Sequence, residues 1–236
     1  MRERLLALGI VAAVAMWPGS RVNATEAASA GPLGLRVPSY DVQGVSIIEA
    51  LRQLKLAVSG KALILTLEVA PFQQEPEKNL TLSLRNSTVR EALDRITSLD
   101  ARYTYCVAVG EVIHICPRGA KSDPDDLLNT KVRKFSASGV PYDQLLQYPN
   151  YHIAELGAEL LRRSRAGGVA GSELSSTGVP GVTVEVQNAT VRDILNQISL
   201  QAAKVAKPQV APPGWVYTFR VDKTVPLGGH PRWSLF

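Results

Sequence analysis

Three histidines, two cysteines and the adjacent carboxylates Asp125 and Asp126 are the side chains with which this chain could do chemistry. His114, His152 and His230 are widely separated. None falls in a spacing such as H-E-x-x-H, which would bring two imidazoles onto one metal ion. The pattern therefore implies neither a metal nor another cofactor. No G-x-S-x-G nucleophile elbow and no Walker phosphate loop occurs. Gly167 and Gly168 follow a helical stretch rather than a strand, which disfavours a dinucleotide site. Asp125 and Asp126 fall among linker residues, where solvated charge is the ordinary state. No catalytic residue is assigned, and His114, alternating within a strand, reads as exposed or cross-strand.

Cys106 and Cys116 flank a hairpin signal, YTYCVAV and VIHIC around Gly110. Closing the hairpin through Gly110-Glu111-Val112 sets Val109 against Ile113, Val107 against Ile115 and Cys106 against Cys116. That register keeps the apolar residues on one face. The expectation is a cross-strand disulfide between Cys106 and Cys116. The alternative is a pair of free buried thiols.

The elements that would position these residues come twice. NLTLSLRNSTVREALDRI at 79–96 returns as GVTVEVQNATVRDILNQI at 181–198, an offset of 102 residues. Thr81/Thr183, Asn86/Asn188, Thr88/Thr190, Val89/Val191, Arg90/Arg192, Leu93/Leu195 and Ile96/Ile198 are identical. A weaker echo at an offset of 95 pairs Gly44 with Gly139, Val45 with Val140 and Leu51 with Leu146. The repeated N-x-T could be read as a glycosylation acceptor, but turn and cap chemistry explains it better. Thr88 with Glu91 and Thr190 with Asp193 have capping-box spacing. Asn86 and Asn188 fall where each strand must turn, a place Asn tolerates. Arg90 and Arg192 alone are repeated without a packing reason, which marks them as candidate interaction residues.

In the first unit a short strand from Tyr40 enters a helix near Ser46, and Gly60 stops that helix. Its apolar face is Ile47, Ile48, Leu51, Leu54 and Val58. ALILTLEVA is rich in strand formers, LTLSL alternates as a half-buried strand, and Val89, Leu93 and Ile96 stripe a second helix. With the hairpin the order is βαββαββ. The second unit splits its first helix at Pro149. It replaces the middle-strand region with a Gly/Ser-rich loop, Arg165–Gly181, the best candidate for a working loop. The fold class expected is α+β: two small βαββα(β) units, each a short sheet with two helices packed on it. They run over 35–118 and 131–222, with a linker at 119–130 and a peripheral tail at 223–236.

The start of the chain has the layout of a secretory signal peptide. MRER is basic, Leu5 to Trp17 is a 13-residue apolar run, and small residues follow at Ala24 or Ala30. Thirteen residues fall short of the roughly 20 that a membrane span needs. Cleavage after Ala24 removes three arginines and Glu3 and lowers the net charge from +5 to +3. Charges are mixed along the chain, with neither a basic stripe nor aromatic platforms, so a nucleic-acid partner is not expected. No integral membrane segment is expected after cleavage, and the location implied is periplasmic or secreted.

YDVQGVSIIEALRQL, NLTLSLRNSTVREALDRITSLDARYTY and EVIHI together resemble the short N-terminal domain shared by secretins and TonB-dependent transducers. That domain's helix positions fall on Ile47, Ala50, Leu51 and Leu54, then on Val89, Glu91, Ala92, Leu93 and Ile96. Its closing hairpin falls on Val112, Ile113 and Ile115. The resemblance covers about residues 38–117, with a looser second copy. It implies a periplasmic, non-enzymatic module that engages a protein partner at the outer membrane. No pore, plug or barrel segment follows here, so the partner itself does not carry over. The other reading is an envelope small-ligand-binding protein, or an unrecognised hydrolase, with a site between the two units.

Overall fold

The computed structural model describes residues 31–59, 61–70, 78–163, 178–206, 214–222 and 228–235. Residues 1–30, which include the expected signal peptide, Gly60 and most of the Arg165–Gly181 loop, including Gly167 and Gly168, lie outside these. The chain is α+β. The first unit comprises β1 (Arg36–Val45), α1 (Ile47–Ala57), β2 (Leu65–Val69), β3 (Leu80–Thr88), α2 (Val89–Leu99), β4 (Tyr103–Val107) and β5 (Ile113–Pro117). The second comprises β6 (Lys131–Pro141), α3 (Tyr142–Gln147), α4 (Pro149–His152), α5 (Ala154–Arg163), β7 (Gly181–Thr190), α6 (Val191–Val205), β8 (Trp215–Asp222) and β9 (Gly228–Leu235).

Local chemistry sets the repeated strand-to-helix corner. Asn86 and Asn188 both adopt φ of 50°, the left-handed conformation that Asn tolerates better than most residues. Thr88 and Thr190 then cap α2 and α6. Each hydroxyl accepts from the backbone of Glu91 or Asp193, and each of those carboxylates accepts the cap's own N–H. Four otherwise orphaned donors are thereby satisfied. Gly44 and Gly139, at φ of 62° and 67°, sit in matching bulges of β1 and β6. A Cβ on Gly181 would come within 2.4 Å of the Gly139 carbonyl oxygen, so β7 also approaches that bulge more closely than a side chain allows.

β1 pairs antiparallel with β3, and β6 with β7, as two separate ribbons. The remaining strands form one sheet in the order β4-β5-β2-β8-β9. β2 is its centre, parallel to β5 on one side and to β8 on the other. The first unit's core lies on one face of this sheet, with Leu65, Leu67, Ile113, Ile115 and Val216 packed against α1, α2 and the first ribbon. The second core lies on the other face, where Trp215 and Tyr217 pack with α3, α6 and the second ribbon. The layers run ribbon, helices, sheet, helices, ribbon. The second unit has no middle strand of its own among the described residues; β2 serves both. The tail is not peripheral: β9 pairs with β8 from Trp215↔Leu235 to Asp222↔Gly228 and forms one edge of the sheet.

Candidate functional site

Because β2 is covered on both faces, its alternation separates two chemistries. Leu65, Leu67 and Val69 face the first core, so Thr66 and Glu68 point into the second unit. His114 on β5 points the same way, between Ile113 and Ile115. α6 supplies Arg192 and Asn196 from one face, one turn apart. The turn Leu127–Asn129 in the linker brings Asp126 and Asn129. These residues form one network across the seam.

Arg192 is its hub. Its guanidinium binds both oxygens of Glu68, through Nε and, at 3.1 Å, through Nη2. Nη2 also reaches Asp126 at 2.9 Å, and Nη1 donates to Asn129. Glu68 Oε1 lies 2.8 Å from His114 Nε2, and His114 Nδ1 lies 2.9 Å from the Thr66 hydroxyl. Thr66 meets Asn196 at 3.0 Å. Glu68, His114 and Arg192 are 2%, 0% and 4% exposed. The Trp215 ring lies over the imidazole, centroids 5.3 Å apart.

Burial holds the His114 imidazole below its ordinary range, against the opposing pull of the Glu68 carboxylate. At neutral pH it is therefore uncharged, with Nε2–H donating to Glu68 and Nδ1 accepting from Thr66. A hydroxyl has one proton, so the Asn196 amide then turns its NH2 toward the Thr66 oxygen. For Glu68 burial works the other way, but hydrogen bonds from His114 and Arg192 outweigh it and lower the carboxyl. Asp126 is pushed up to about 6, first by burial and then by the Glu68 charge.

Thr66, His114 and Glu68 have the hydroxyl–imidazole–carboxylate connectivity of an acyl-transfer triad. They cannot use it as placed. The hydroxyl is sealed at the sheet face under α6, and the carboxylate is already paired with a guanidinium. What the arrangement does is clasp the two units: an ion pair joins residues 124 positions apart, and removing either partner would leave a buried charge unmatched.

The expectations for single residues divide here. Arg90 and Arg192 occupy matching positions, yet Arg90 is exposed on α2 while Arg192 is buried in the clasp. His114 is buried, not exposed, and its cross-strand neighbour is Cys106. The cysteines do not face one another. The hairpin loop is two residues longer than the apolar pattern suggested, spanning 108–112 with Val107 opposite Ile113, so Cys116 faces Thr104 and both thiols are free. A shift of two keeps every side chain on its expected face, which is why patterning could not detect it. Lys121 donates to the Cys106 sulfur at 2.8 Å, and burial pushes the Cys116 thiol up to about 11. Among the described residues no three metal-ligating side chains converge. Glu68, overlooked in the sequence, had one available signal: a charge at an alternate position of an otherwise apolar strand.

A second feature lies open at the surface. Lys131, Val132, Arg133 and Lys134 of β6, Glu155 of α5 and Asn188 of β7 line a groove of about 760 Å³. The backbone N–H of Arg133 points away from β7 and donates to Glu155 Oε1 at 3.2 Å. Lys134 reaches Glu185 at 3.5 Å, an exposed pair, whereas Lys131 and the Arg133 guanidinium have no partner among the described residues. At the equivalent position of the first unit, 95 residues earlier, stands Pro38, which has no N–H.

No family model, no curated protein and no solved structure matches the chain. Among the described residues no helix is long and apolar enough to cross a membrane.

Proposed function

We infer that this is an exported, non-enzymatic adaptor that engages a partner protein in the cell envelope through its sheet edges. The observation that carries this reading is the pair of two-stranded ribbons on the outermost layers, each built of strands of nine or more residues with no further strand beside them among the described residues. Such edges are templates for strand addition, in which main-chain hydrogen bonds supply affinity. The resemblance to secretin and TonB-transducer N-terminal domains and the signal-like start of the chain support the same reading. So does the engagement of the reactive-looking residues in the internal clasp.

The test is crosslinking of the full-length protein in intact envelopes, followed by identification of what is joined to it. Recovery of no protein partner, together with a bound small molecule in native mass spectrometry, would instead favour the ligand-binding alternative.

A further inference from the structure

The two ribbons are copies, but their outer edges are finished differently. In β1 the edge position is Pro38, and Ser39 is engaged by Arg85. Proline on an edge strand removes the donor that a foreign strand would need. In β6 the same position is Arg133, its donor intact and met by Glu155. The flanking positions differ as well: Arg36 and Ser39 of β1 correspond to Lys131 and Lys134 of β6, so the second edge carries three cationic side chains where the first carries one.

What fills the edge of β6 is informative. A bare amide on an exposed strand is ordinarily met by water or by the carbonyl of a neighbouring strand. Here a carboxylate from α5 reaches in and accepts it. Glu155 is only half-buried and the bond is exposed, so it is one that an incoming acceptor can displace. Lys131, Arg133 and Lys134 are the charged side chains of the groove beside it, with Glu155 its only carboxylate and Val132 and Asn188 completing the lining. Glu155 thus occupies the place of a ligand carboxylate.

We propose that the β6 edge is a strand-addition site for an extended acidic segment of a partner protein, with Lys131, Arg133 and Lys134 reading its carboxylates and the Arg133 N–H bonding its backbone. This rests on the adaptor reading and assigns it to one edge of one unit. Main-chain pairing fixes the direction and register of the segment, while alternate side chains meet the cations. Glu155 competes with the segment and keeps the empty edge from pairing with other copies of the chain. The first unit, closed by Pro38, does not take part.

The test uses a fluorescein-labelled peptide of about ten residues, the upper range of a strand, alternating Glu with Val and Thr. A lysine counterpart serves as control, and anisotropy is followed with the full chain. The acidic peptide binds and the lysine peptide does not. Arg133→Ala keeps the donor and weakens binding by a few fold. Arg133→Pro, which copies the first unit's own sequence, weakens it at least about tenfold further, as expected when a backbone hydrogen bond is lost and a ring blocks the edge. Glu155→Gln tightens binding, which keeps the test decisive if the proline variant folds poorly. Equal binding by Arg133→Pro and Arg133→Ala, weaker binding by Glu155→Gln, or full competition by free glutarate overturns the site. Envelope crosslinking separates the two levels. A partner recovered equally by the wild type and by Arg133→Pro overturns this site and leaves the adaptor reading standing. Peptide binding that fails to yield any envelope partner supports the groove and removes the adaptor reading.

Discussion

The two copies of the strand-turn-helix corner share their chemistry and differ in what surrounds them. Both turn on an Asn at φ of 50° and both close a capping box. Arg90 and Arg192 follow their caps at the same helical position. Beside α2 that position meets solvent; beside α6 it meets Glu68 from the other unit. The lesson is that a duplicated segment repeats its local bonds, while the role of each side chain is decided by the neighbour that covers it. The edges teach the same thing: Pro38 closes one ribbon by lacking a donor, and Glu155 closes the other by accepting one.

The largest expected effect separates the two arginines. Arg192→Ala leaves Glu68 buried without its guanidinium and should cost about 3–5 kcal/mol, whereas Arg90→Ala should stay within about 0.5 kcal/mol. Urea unfolding of the pair measures this; equal losses would break the contrast. Next comes the hairpin tip. Gly110 has φ of 61°, and a Cβ there would come within 2.8 Å of a Leu200 methyl on α6. Gly110→Ala should cost roughly 1–3 kcal/mol, because a strained left-handed conformation is added to a contact between the units. The same thermal or urea melts report it.

The caps should behave alike. Thr88→Ala and Thr190→Ala should each cost about 1 kcal/mol, since each removes the same side-chain acceptor from the same position. A difference larger than the cap itself would show that the second copy depends on the seam even at its corner.

The smallest effect is a pH dependence confined to the clasp. His114 is held neutral in the folded state and titrates near 6.5 when unfolded. The unfolded chain therefore binds more protons as pH falls below about 7, and stability should drop over that range. Asp126 opposes this below about 6, where the folded protein takes up a proton that the unfolded carboxyl releases down to its ordinary value near 3.8. Glu68, lowered by its partners, adds a further loss of stability below about 4.5. Melting temperatures between pH 6 and 8 should rise with pH in the wild type and flatten in His114→Gln; parallel slopes would remove His114 as the cause.

Much of the fold could be read before any coordinates. The helical stripes, the Asn turns, the capping threonines, the helix split at Pro149 and the hairpin at Gly110 each depend on residues within a few positions of one another. The candidate site was readable only in fragments. Arg192 stood out as a repeat without a packing reason, but Glu68, Asp126 and Asn196 gave no sign of being its neighbours. Glu155 lies 22 residues from the amide it covers, on a helix whose docking no local pattern announces.

Sequence periodicity decided which residues face inward, because alternation along a strand and recurrence along a helix are properties of the local backbone. It could not decide which layer would cover the polar side of β2, nor the two-residue register of the β4–β5 hairpin, which leaves every face unchanged. Those were decided by the tertiary structure. Once β8 pairs with β2, the polar positions Thr66, Glu68 and His114 are sealed beneath α6, and a buried charge must find its opposite. Arg192 is that opposite.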